Sequence, residues 1–127
     1  MTPRQTLLLG ATSIVVYDAI ASIASIALGF RYAAASFGSF ALYAAIGAFA
    51  ARTKSRSFGV AAGAVTGLSD ATLGWGTSWL IGPGRPPSGM IGFAQWLVTA
   101  VLVVVLASII AGVAGIFSTI GRSRVRT

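Results

Sequence analysis

Four long apolar runs take up most of this chain, at residues 5–29, 32–51, 58–81 and 90–120. A helix needs roughly 20 apolar residues to cross a bilayer, and each run meets that length. The runs exclude most soluble architectures. The chain of 127 residues is 56% hydrophobic and only 9% charged, whereas soluble domains carry about 25% charged residues. A soluble core of this size has too little interior to hide so much apolar surface, so the medium must be lipid. The expected fold is all-α: one four-helix transmembrane domain over residues 1–127, built as two antiparallel hairpins.

The breaks between the runs are short and distinct. Phe30-Arg31 is a tight turn. Arg52-Thr53-Lys54-Ser55-Arg56 is a basic loop. Residues 82–89 are dense in glycine and proline, read as a rigid connector. The first run, preceded by Arg4, imitates a secretory signal. Its length exceeds the usual apolar core of about 7–15 residues, so it is read as a transmembrane helix.

The net charge of +7 invites a nucleic-acid reading, which the placement of the charges argues against. They flank the apolar runs. Arg4, Arg52, Lys54, Arg56, Arg122, Arg124 and Arg126 fall on one side of a four-span arrangement, and Arg31 and Arg85 on the other. The bias puts both termini in the cytoplasm of a multi-pass cell-membrane protein, of the prokaryotic inner-membrane type. Phe30, Tyr32, Trp75, Trp79, Phe93 and Trp96 then fall at the outer interface, where aromatic belts form. The basic segments are suited to anionic head groups.

Asp18 and Asp70 are the only acidic residues, and each lies inside an apolar run. A carboxylate at that depth is costly, and such residues mark ion or proton pathways or pair with a partner. Spans one and three run in the same direction. Each aspartate lies about a dozen residues from the cytoplasmic end, or about 18 Å at about 1.5 Å per residue. Two carboxyls at one level can face each other or ring an axis in an oligomer.

Asp18-Ala19 recurs as Asp70-Ala71, and Arg31 and Arg85 are each followed seven residues later by a glycine, Gly38 and Gly92. A parallel repeat of two hairpins, a plan found in transporters, is one reading. Chance alignment of apolar helices is the other.

Ser22 shares the helical face of Asp18, and Thr66 that of Asp70. With Ser69 they are the candidate supporting ligands for a proton or cation. The carboxyls then exchange protons, hold a cation, or pair with a base from another chain. The plainer reading is a hydrogen bond between helices, worth about 1 kcal/mol. Tyr17 and Tyr43 lie mid-span with hydroxyls that need partners, as neighbours of the site or as core fillers.

Gly59, Gly63, Gly67 and Ala71 recur at four-residue spacing, a glycine zipper that lets helix backbones approach closely. It serves packing within the bundle or self-association.

The chain has no histidine, cysteine, glutamate or asparagine. It therefore offers no usual ligand set for haem, zinc or iron–sulfur, and no nucleophile–histidine–acid constellation. No cofactor, no metal and no enzymatic activity are expected. The leading expectation is an ion- or proton-coupled channel or transporter subunit acting as a homo-oligomer. The alternative is an accessory subunit of a larger membrane complex, binding other membrane-protein subunits. The lipid bilayer is the shared partner of both readings.

Overall fold

The computed structural model describes residues 1–85 and 92–124, with side chains through 122. Helix α1 spans Pro3–Leu28. A 3-10 turn at Tyr32–Ala35 leads into α2, Ser36–Thr53. Helix α3 spans Arg56–Ser69, a π-turn covers Asp70–Gly74, and α4 spans Trp75–Ile81. Helix α5 spans Phe93–Arg124. Among the described residues there is no strand.

Local chemistry sets the ends of these elements. At the start of α1, the Gln5 N–H donates to the Thr2 hydroxyl (3.2 Å) and the Thr2 N–H donates to Gln5 Oε1 (2.9 Å). This reciprocal pair, with Pro3 in the first turn, satisfies amides that the helix cannot. Gly29 closes α1 in the left-handed region at φ +72°, and its N–H donates to Ser25 O. The Ser25 hydroxyl then donates to Phe30 O at 2.7 Å and pins the turn. Ser55 caps α3 by accepting from the Phe58 N–H at 3.1 Å.

Three helical stretches are long and apolar enough to cross a membrane: Pro3–Leu28, Tyr32–Thr53 and Phe93–Arg122. The run expected at 58–81 lies on helical backbone over residues 56–81, which the π-turn divides into α3 and α4. The run expected to begin at residue 90 starts its helix at Phe93, and residues 90 and 91 lie outside the described residues. So do residues 86–89 of the glycine–proline connector.

The packing is inverted relative to a soluble bundle. Ala50, Ala62, Ala107 and Ala111 are fully buried, together with Thr6 and Ser22. Ile20 and Ile26 of α1, and Leu102, Ile109 and Phe117 of α5, face outward. Small residues inside and large apolar residues outside suit a lipid surround, because helices in lipid associate through close backbone approach.

Helix α5 packs on both α2 and α3, and α1 packs on α2, α3 and α4. The approach is close enough that a methyl group at Gly47 would overlap the Ala111 backbone. Gly63 and Gly67 lie against Ala107, and Gly63 also against Ala111. Gly59 lies against the Gly47 carbonyl and Ala51. The stripe Gly59, Gly63, Gly67 is thus occupied within the chain.

The basic residues of the second break gather at one end of the bundle. Arg52 Nε donates to Ser118 O (3.2 Å), Arg56 Nε to Thr119 Oγ1 (2.8 Å) and Arg122 Nη1 to Arg52 O (3.3 Å). Leu7 of α1 packs on Ile46, Ala50 and Ala62 toward the same end.

Candidate functional site: a paired-aspartate cavity

Ile14, Asp18, Ala21, Ser22 and Ser25 form the buried stripe of α1. That spacing carries Asp18 into the bundle, where it is only 3% exposed. Asp70 opens the π-turn, in which the Trp75 N–H reaches back to Asp70 O. The wider turn sets Asp70 and Gly74 on the side facing α1.

The two carboxyls lie side by side, close enough to interact directly. Gly74 makes room for them. A Cβ there would overlap Asp18 Oδ2 and stand 3.3 Å from Asp70 Oδ1.

A tyrosine serves each carboxyl. Tyr32 Oη donates to Asp18 Oδ1 at 3.1 Å. Tyr43, 2% exposed, donates through Oη to Asp70 Oδ2. The result is a chain of four polar groups, Tyr32–Asp18–Asp70–Tyr43, drawn from α1, the 3-10 turn, α2 and the π-turn. Asp18 Oδ2 is buried without a donor, as are the hydroxyls of Ser22 and Ser78. Such orphaned acceptors are uncommon and call for a physical reason.

A cavity of about 200 Å³ opens onto this network, lined by Asp18, Tyr32, Ser39, Tyr43, Asp70 and Trp75 among others. None of the described residues lining it is basic. Among the described residues neither aspartate is paired with Arg or Lys, so no positive side chain there offsets the two carboxyls. A proton between the carboxyls would give Asp18 Oδ2 its missing partner.

The structure brings together Asp18 and Asp70 but not the three hydroxyls expected to support them. The Thr66 hydroxyl donates to Ala62 O (2.8 Å) and packs against Gly10. The Ser69 hydroxyl donates to Val65 O (2.9 Å). Ser22 is fully buried one turn beyond Asp18 and does not line the cavity. Ala71 is buried in the π-turn, and its carbonyl accepts from Trp96 Nε1 (3.3 Å). Tyr17 donates to Ala35 O (2.6 Å) and to neither carboxyl.

Two members of the site escape a reading of the sequence. Tyr32 looks like an interfacial aromatic, although its long side chain at the start of the second run can reach back down α1. Gly74 looks like one more small residue four positions after Asp70. Comparison with family models, curated proteins and solved structures finds no match to this chain.

Proposed function

We propose that this chain is a proton- or cation-coupled membrane transport protein, with Asp18 and Asp70 as one shared carrier site. Four spans cross the bilayer, the helical backbone over 56–81 being the third, with both termini in the cytoplasm. The chain acts as a homo-oligomer, because a bundle of four short helices has little room for a complete path of its own.

One observation carries the reading. Asp18 Oδ2 is buried without a donor beside a second carboxyl, and no basic side chain among the described residues lines their cavity. A pair that only bridged helices would be better served by a donor on one side, such as asparagine. A pair that must gain and lose a positive charge needs two acceptors side by side. Tyr32 and Tyr43 hold the carboxyls in place from opposite ends. The accessory-subunit reading gains nothing from the small-residue stripe, which is already occupied by α2 and α5.

The test is flux in proteoliposomes carrying the purified chain. An imposed proton or sodium gradient should dissipate faster than in empty vesicles, and Asp18→Asn and Asp70→Asn should each remove the excess. Equal dissipation by the wild type and both variants would overturn the proposal.

A further inference from the structure

A second cavity, of about 510 Å³, adjoins the first. Its walls are Trp75, Trp79, Phe93 and Trp96, closed by smaller residues that include Ala71 and Gly76. All three tryptophans of the chain meet here. Hydrogen bonds orient two of them: Trp75 Nε1 donates to Gly84 O at 3.2 Å, and Trp96 Nε1 to Ala71 O at 3.3 Å. With those N–H groups engaged, the two indoles have only ring surface left to offer a guest. The Phe93 and Trp96 rings are tilted toward one another with centroids 5.7 Å apart.

Ala71 and Trp75 belong to the walls of both cavities. A guest among the rings is therefore separated by one layer of side chains from Asp70 and Asp18. Arg85 does not line either cavity, and its Nε is engaged by Trp79 O at 2.8 Å. The site thus combines apolar aromatic faces, a volume within the roughly 300–1,000 Å³ usual for small-molecule sites, and a carboxyl pair one layer of side chains beyond the wall formed by Ala71 and Trp75. Ring faces attract cations within about 6 Å. A neutral chain would fill the space but make no use of the carboxyls, and an anion would be repelled by them.

We infer that the aromatic cavity binds an organic monocation with an apolar or aromatic body, of the quaternary ammonium or phosphonium class, with the aspartate pair as its counter-charge. The inference rests on the proposed carrier role of that pair. Binding displaces the carboxyl proton, which leaves to water as the cation arrives, so charge is conserved at the site.

The experiment is titration of the purified full chain in mild detergent with tetraphenylphosphonium, followed by tryptophan fluorescence and by calorimetry in two buffers of different ionisation enthalpy. Saturable quenching with release of about one proton per cation is expected. Phe93→Leu and Trp79→Leu alter exposed residues, and each should weaken binding about 5- to 10-fold. A Cβ at Gly76 meets nothing within 4 Å, so Gly76→Leu should fill the cavity without disturbing the helix and abolish binding. The double variant Asp18→Asn, Asp70→Asn should weaken binding at least about 10-fold and eliminate proton release. Neutral triphenylphosphine oxide should not saturate.

Absence of quenching, undiminished binding to Gly76→Leu, or equal binding of the neutral analogue would overturn the inference. Proton flux measured on the same preparations separates the two proposals. Aspartate-dependent flux without cation binding overturns this inference and leaves the carrier role standing. Should Gly76→Leu fail to fold by circular dichroism, the two exposed-ring variants decide the matter.

Discussion

Gly74 and Asp18 touch so closely that no side chain can stand at residue 74 while the carboxyl keeps its place. The contact is with a carboxyl held in turn by Tyr32. Gly74→Ala sets two effects against each other. Replacing a helical glycine gains about 1 kcal/mol of propensity, and forcing a methyl group into a filled space costs about 1–3 kcal/mol. The expected net result is a loss of about 1 kcal/mol together with loss of aspartate-dependent flux. Thermal unfolding in detergent and a flux assay check both. A raised midpoint with normal flux would contradict the geometry.

Tyr43 and Asp70 are expected to act as a unit. Tyr43→Phe removes a buried donor and leaves the carboxyl oxygen unmatched, at a cost of about 1–3 kcal/mol. Asp70→Asn in the same chain should recover part of that loss, because the unmatched charge is gone. A double-mutant cycle on thermal stability should give a coupling of about 0.5–3 kcal/mol. Tyr32→Phe should cost less, since Tyr32 is only partly buried.

Much of this site can be read from residue order. The expectation that Asp18 and Asp70 share a depth followed from reading the first and third apolar runs as parallel, and α1 does pack against the π-turn that carries Asp70. The failure of Thr66 and Ser69 to join them is also physical. Hydroxyls on apolar helices return to the carbonyl one turn back when nothing better is near, and both do so. Tyr32 was hidden by its place at a helix start, where tyrosine fits an aromatic belt equally well. The π-turn had no signature at all. Asp-Ala-Thr-Leu-Gly contains no proline and reads as ordinary helix, and the break in the third run falls where the segment packs against α1.

Glycines in this bundle should divide sharply by what lies next to them. Gly47→Ala drives a methyl group into the Ala111 backbone, which cannot rotate away as a side chain can. A loss of about 2–3 kcal/mol is expected. Gly121, on α5, has nothing within 4 Å of an added Cβ. Gly121→Ala should stabilise by about 0.5–1 kcal/mol. Comparing thermal midpoints of the two variants under one detergent condition checks the contrast.

Orientation can be tested cleanly, because the chain has no cysteine to interfere. In the proposed orientation residue 54 lies inside and residue 31 outside. In sealed spheroplasts, Arg31→Cys should react with a membrane-impermeant maleimide and Lys54→Cys should not. Inverted vesicles should give the opposite result. Labelling of both from one side would refute a single fixed orientation.

The π-turn at Asp70–Gly74 has a consequence for how the chain tolerates insertions and deletions. It accommodates one residue more than the same turn of α-helix would. Each residue advances an α-helix by about 100°, and the wider turn absorbs that rotation locally. Trp75, Ser78 and Trp79 keep the register of a helix one residue shorter. Deleting a single residue between Asp70 and Gly74 would convert the segment to an ordinary α-helical turn and leave the tryptophan wall in place. Inserting one more would exceed what the turn absorbs, swing that wall by about 100° and uncouple the two cavities.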